Sequence, residues 1–104
     1  MNERRVDAVF SALADATRRE VMRRLADAPS TATEIAAELP VSRQAVTKHL
    51  SMLENAGLVA GERQGREVRY RLTPSPMAEA MEWMADTASE WDRRLDALRR
   101  HLRR

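Results

Sequence analysis

The stretch from Thr31 to Gly57 reads TATEIAAELPVSRQAVTKHLSMLENAG, two short helical patterns joined by a turn. Thr31 and Glu34 have capping-box spacing, in which the threonine hydroxyl accepts from the Glu34 amide while the carboxylate reaches back, so a helix begins here. Ile35, Ala36 and Leu39 form its apolar face. Pro40 has no amide hydrogen and disfavours helical geometry at Leu39, which ends that helix and turns the chain through Pro40 and Val41. Ser42 is a strong N-cap for the helix that follows. Val46, Leu50 and Leu53 recur at i, i+4 and i+7 as its inner stripe, and Gly57 supplies a left-handed stop. This is the sequence form of a helix-turn-helix over residues 31–57.

The second helix turns Arg43, Gln44, Thr47, Lys48 and Ser51 outward, and no carboxylate precedes Glu54 on it. These residue types suit a major groove: Arg pairs with guanine, Gln with adenine, and Thr or Ser with bases or phosphates. They also stand near the N-terminus of the helix, where recognition helices contact base edges. The competing explanation is the solvated face of any amphipathic helix. The combination of turn, cap and missing carboxylates favours a nucleic-acid contact.

Residues 58–72, LVAGERQGREVRYRL, alternate apolar and polar on both sides of Gln64-Gly65-Arg66, which predicts a β-hairpin with Gly65 in the turn. A helix-turn-helix followed by a hairpin is a winged helix. The wing carries Arg63, Arg66, Arg69 and Arg71 against Glu62 and Glu67. Arginine near a hairpin tip can enter a minor groove or clamp phosphates, and DNA contact is favoured for Arg66 over a solvated turn. Arg69 and Arg71 fit a DNA contact or the outward face of an edge strand equally well.

Upstream, Val6, Val9, Phe10 and Leu13 share one face of a first helix, and Val21, Met22 and Leu25 one face of a second. Asp15 or Thr17 caps that second helix, Thr17 having capping-box spacing to Glu20. Arg18, Arg19, Arg23 and Arg24 read as solvated surface. Downstream, Pro74-Ser75-Pro76 is a helix start with Ser75 as cap and Pro76 in the first turn, opening a helix over 76–103. Along it Met77, Met81, Met84, Ala88, Trp91, Leu95, Leu98 and Leu102 alternate spacings of four and three, a heptad seam. Packing on the first helix and pairing with a second copy both use such a seam. At ~1.5 Å per residue the helix outruns the small body it follows, so its distal half needs a partner. Val6, Phe10, Met84, Trp91, Leu95 and Leu98 are the expected dimer interface. Trp83 lies off the seam and is expected to pack on the first helix rather than line a ligand pocket.

The charge of this helix is divided. Glu79, Glu82, Asp86, Glu90 and Asp92 precede any basic residue, whereas Arg93, Arg94, Arg99, Arg100, Arg103 and Arg104 follow with only Asp96 among them.

The runs ALADATRREVMRRLADAP from Ala12 to Pro29, ELPVSRQAVTKHLSMLENAGLV and GREVRYRL resemble, as a set covering nearly the whole chain, the ArsR family of bacterial winged-helix repressors. The resemblance implies a homodimeric repressor in the cytoplasm that binds an inverted repeat in double-stranded DNA. It carries the recognition-helix role onto Ser42, Arg43, Gln44, Thr47 and Lys48, and the wing role onto Arg63 and Arg66. Metal-sensing members of the family hold a cysteine motif in the helix before the turn or an Asp/His/Glu set on the last helix. This chain has no cysteine, EIAAEL offers no soft ligand, and the last helix has only His101. No metal or other cofactor is expected. Met77, Met81 and Met84 offer thioethers to Cu(I), but methionines at helical spacing are usually core. His49 is expected to pack or to touch a phosphate.

With 104 residues, a net charge of +2 and no long apolar run, the chain is expected to be one small domain (1–104) outside the membrane, mainly α with a small β-hairpin. Two histidines, no cysteine and no Gly-rich phosphate loop argue against an enzyme. Two other arrangements remain open: a winged helix that applies its basic face to an acidic protein partner, and a DNA-binding regulator that also answers to an unidentified inducer ligand, which the sequence does not name.

Overall fold

In the computed structural model, which describes residues 3–103, there are five helices and a small three-stranded antiparallel sheet. The order is α1 (Glu3–Leu13), α2 (Ala16–Asp27), β1 (Ser30–Thr31), α3 (Ala32–Glu38), α4 (Arg43–Asn55), β2 (Val59–Gln64), β3 (Glu67–Leu72) and α5 (Ser75–Leu102). Arg104, counted above with the basic half of the last helix, lies outside the described residues. The fold is a winged helix-turn-helix with a long C-terminal helix.

Local chemistry places most of these boundaries. Thr31 and Glu34 form the full capping box of α3, and Leu39 leaves helical geometry at φ −117° and ψ 148° ahead of Pro40. Ser42 caps α4 by accepting from the Ala45 amide at 3.1 Å. Gly57 stands at φ +77°, which a residue with a Cβ adopts only under strain. At the wing tip the strands pair out to Gln64↔Glu67, leaving a two-residue loop. Gly65 has φ +64° and Arg66 is not in the positive-φ region, the type II′ pattern.

Two boundaries differ from expectation. Asp15, not Thr17, caps α2, accepting from the Arg18 amide at 3.0 Å while Thr17 sits inside the helix. Hydrogen bonding from the Arg18 backbone holds the Asp15 carboxyl below its ordinary value. Ser75 does not cap α5. Pro74 already has helical angles (φ −75°, ψ −20°) and its carbonyl accepts the first helical bond from Ala78, so the helix starts one residue early with Ser75 inside its first turn.

Val9, Val21, Leu25, Ile35, Val46, Leu50, Leu53 and Leu58 meet in one core from α1, α2, α3, α4 and the base of the wing. A fully buried aliphatic side chain of this size contributes about 1.5–3 kcal/mol. Leu58 ties the elements together: its amide donates to Leu53 at the end of α4, and its carbonyl accepts from Thr73 just before α5. Arg18 and Arg19, expected on solvated surface, instead donate to the last carbonyls of α1: Arg18 Nε to Ala12 at 2.6 Å, Arg19 Nη1 to Leu13 at 2.6 Å. Those carbonyls have no partner within their own helix, and the guanidinium groups supply one.

The sheet holds a strand that the sequence pattern did not announce. Its order is β1-β3-β2, so β3 is central, with Thr31 opposite Arg69 on one side and Glu62 opposite it on the other. Arg69 is therefore not on an edge strand.

The far half of α5 leaves the body. From Ala88 to Arg103 every residue is exposed, including Trp91, Leu95, Leu98 and Leu102 at 44–72%. Closer in, α1 packs against it, with Arg5 paired to Glu79 at 3.1 Å and Phe10 edge-on to Trp83. Trp83 packs on the first helix as expected.

Candidate nucleic-acid interface

The turn between α3 and α4 holds the first residues of α4 clear of the core. Val46, Leu50 and Leu53 are fully buried, so Ser42, Arg43, Gln44, Thr47, Lys48 and Ser51 are forced outward, and all six are exposed. Ser42 commits its oxygen to the cap. Arg43 and Gln44, the next two residues, project from the helix N-terminus with no acidic neighbour in the first turn. The Thr47 hydroxyl donates to the Arg43 carbonyl at 3.0 Å, one turn back. Its proton is thereby used, which leaves a lone pair and the methyl group to face a partner.

The wing brings a second cationic group to the same place. Arg43 and Thr47 of α4, Arg66 of the turn, Thr33 of α3 and Glu67, Val68 and Tyr70 of β3 line one open cleft of about 190 Å³. Arg63 is exposed on β2 opposite Val68 and does not line the cleft, nor do Ser42, Gln44 and Lys48. Thr33 and Tyr70 are members that sequence reasoning missed. Alternation along β3 puts Val68 and Tyr70 on one face, but only the folded chain shows that face meeting α4. Burial, and secondarily the charge of Glu54, pushes the Tyr70 phenol up, so it stays a neutral hydrogen-bonding group. Gly61 lies under the ring: a Cβ there would stand 2.9 Å from Val68 Cγ1 and 3.0 Å from Tyr70 Cε1.

Arg69 is directed away from this surface. Its Nη1 donates to the Glu34 carboxylate at 3.1 Å and to the Pro29 carbonyl at 3.2 Å, and Nη2 lies 3.9 Å from Glu67. The Thr31 amide and hydroxyl, and after them Arg69, hold the Glu34 carboxyl below its ordinary value. His49 is half-buried, with Nδ1 shielded from solvent and without a hydrogen-bond partner.

Of the residues expected at a dimer interface, Val6 departs. It is 2% exposed within one chain, because α1 lies between α2 and α5 and turns this side chain into the monomer. Phe10 is half-buried against Trp83, whereas Met84, Trp91, Leu95 and Leu98 remain 44–58% exposed. Arg94 stacks 6.0 Å from the Trp91 ring centre. Of the three methionines considered for Cu(I), Met77 packs against the core and Met81 and Met84 are exposed. Among the described residues no three His, Cys, Asp or Glu side chains converge on a metal position.

A helix-turn-helix domain family matches residues 13–62. The chain is 44% identical over 72 residues to the HTH-type transcriptional regulator Rv2034 of Mycobacterium tuberculosis, covering 69% of this chain and 67% of the relative. It is 29% identical over 84 residues to the transcriptional repressor SdpR of Bacillus subtilis, covering 81% and 93%. Among solved structures, an ArsR-like transcriptional regulator from Rhodococcus sp. RHA1 superposes with a TM-score of 0.84 at 41% identity, over 92% of this chain and 91% of that one. The homodimeric winged helix-turn-helix DNA-binding domain of Mb0332 from Mycobacterium bovis superposes with a TM-score of 0.67 at 26% identity, over 83% and 80%.

Proposed function

The chain belongs to the ArsR family of winged helix-turn-helix transcriptional regulators, and from that membership we propose that it is a homodimeric repressor that reads an inverted repeat in double-stranded DNA. The observation that carries this reading is the shared cleft. Arg43 and Thr47 from the recognition helix and Arg66 from the wing tip face one space, so a single duplex can meet all three. Arg43, Gln44 and Thr47 read bases in the major groove, while Ser42, Lys48, Arg63 and Arg66 hold the backbone or the adjacent minor groove. Residues 31–57 act as the helix-turn-helix, 58–72 as the wing and 76–103 as the dimerisation helix.

A two-fold dimer presents two recognition helices to two half-sites, which explains why the exposed seam of Met84, Trp91, Leu95 and Leu98 belongs to the same function. Such a protein acts in the cytoplasm, where its DNA lies, and none of the described helices is long and apolar enough to cross a membrane. It performs recognition rather than catalysis, as its relatives are named regulators.

Footprinting on the DNA flanking the gene tests the proposal. Protection of an inverted repeat at protein concentrations that leave scrambled DNA free is the expected result. Equal, salt-sensitive binding to every sequence, together with tight binding to an acidic protein, would replace it with a protein-interaction function.

A further inference from the structure

We propose that Glu34 and Arg69 are a positioning pair that sets the wing tip against the recognition helix, so that Arg66 and Arg43 engage one duplex at the same time. This rests on the DNA-binding function proposed above. One carboxylate oxygen, Glu34 Oε1, accepts from the Thr31 amide at 2.9 Å and from Arg69 Nη1 at 3.1 Å. The same Nη1 donates to the Pro29 carbonyl at 3.2 Å. The cap of α3 is thus bonded directly to β3, across 35 residues of sequence.

The base of the wing is anchored by Leu58 and Val59 in the core, by Tyr70 and Leu72 packed against it, and by the Gly61 amide donating to Glu54 at 3.4 Å, whereas the side of the wing that faces α3 has few other ties. β1 contributes only two rungs, Ser30↔Tyr70 and Thr31↔Arg69. From the Glu34–Arg69 node the paths in both directions are short. Arg66 lies three residues back, in the turn just before β3, and Arg43 follows one seven-residue helix and a tight turn. A change in the node therefore changes the width of the cleft between Arg43 and Arg66.

An exposed ion pair adds little to folding stability. Here, however, Glu34 has already lost its freedom to the capping box, so its direction is set before Arg69 arrives. Arg69 is likewise poorly suited to holding a phosphate, since its Nη1 is shared between Glu34 and Pro29 and a second carboxylate, Glu67, stands 3.9 Å from Nη2. The role expected of the pair is geometric, with its effect read in DNA binding rather than in unfolding.

Glu34→Gln tests this, because Gln preserves a capping box while removing the charge. Full-length Glu34→Gln and Arg69→Met, each alone and combined with Arg66→Ala, are titrated by fluorescence anisotropy against the protected inverted repeat. Each single variant should bind about tenfold more weakly with an unchanged melting midpoint, and Arg69→Lys should recover part of the loss. In the Arg66→Ala background the same substitutions should cost less than about twofold, since the tip they position is gone. Additive losses in that background would overturn the proposal. So would Arg69→Met flattening the salt dependence by about one contact while Glu34→Gln changes nothing, which would make Arg69 a phosphate ligand. A second measurement needs no DNA. Spin labels at Gln44→Cys and Arg66→Cys, in protein diluted with unlabelled chain, should give a narrow distance distribution that broadens or shifts with Glu34→Gln. An unchanged distribution refutes the brace. A broadened one, when unlabelled wild-type protein selects no operator, refutes the DNA function and leaves the brace standing.

Discussion

The Phe10 ring meets Trp83 edge to face, with centroids 5.8 Å apart and planes at 71°. That contact joins α1 to the near half of α5, beside the Arg5–Glu79 ion pair. Edge-to-face pairs contribute about 0.5–1.5 kcal/mol beyond the area they bury. Phe10→Leu removes the ring while keeping most of the apolar bulk, and should cost about 1 kcal/mol in urea unfolding at fixed protomer concentration. In a Trp83→Leu background the same change should cost only a few tenths, the coupling that a double-mutant cycle reads.

Thr47 offers a sharper test of base reading than its position alone suggested. Because its proton goes to the Arg43 carbonyl, Thr47 can offer a base only its methyl group and an acceptor lone pair, and the methyl contact is the one that Val and Ser substitutions test. Thr47→Val should hold operator affinity, whereas Thr47→Ser should lose about 1 kcal/mol, the worth of one methyl contact. Arg43→Ala and Gln44→Ala should each cost about 1–3 kcal/mol on the operator and leave random DNA unaffected. Equal losses on both DNAs would assign these residues to phosphates.

Arg66 stands beside Gly65 at the exposed end of the hairpin, lining the cleft. Arg66→Ala should weaken operator binding and reduce the slope of log affinity against log salt by about 0.9, one phosphate contact. An unchanged slope would take the wing tip off the DNA.

The exposed seam of α5 carries a prediction about orientation. Its acidic half and its basic half each repel themselves, so a parallel pair would place like against like, and an antiparallel pair acid against base. Arg94–Glu90 and Arg99–Asp96 pairs within the helix, and the Arg5–Glu79 pair with α1, neutralise part of this, while Glu82, Asp86, Asp92, Arg93, Arg100 and Arg103 stand exposed on the helix. Exposed pairs of this kind contribute 0 to about 1 kcal/mol each and choose direction more than they add stability. A spin label at Arg100→Cys should lie roughly 27 Å from its twin in an antiparallel dimer that crosses near Trp91, at ~1.5 Å rise per residue. A short distance would mean parallel helices. Trp91→Ala and Leu95→Ala should dissociate the dimer and abolish operator binding together.

What the sequence determined by itself was chemistry that acts within about four residues. The Thr31–Glu34 box, the Pro40 break, the Ser42 cap, the Gly57 stop and the Gly65 turn each depend on a hydrogen bond or a backbone angle that neighbours in sequence supply. With the 3.6-residue stripe of Val46, Leu50 and Leu53, those signals were enough for the helix-turn-helix, the hairpin and the outward set led by Arg43. Tertiary structure decided the positions whose partners are distant. Arg69 became a brace only because Glu34 and Pro29, 35 and 40 residues away, arrive beside it. The strand Ser30–Thr31 is too short to show a period, and exists because β3 passes alongside. Val6 carries the same apolar signature whether it faces a partner or the interior of its own chain, and only packing chose the latter. The sequence names which groups can bond. Which of them meet is decided by the path of the chain, because burying the common core in α1, α2, α3, α4 and the wing fixes every distant pair at once.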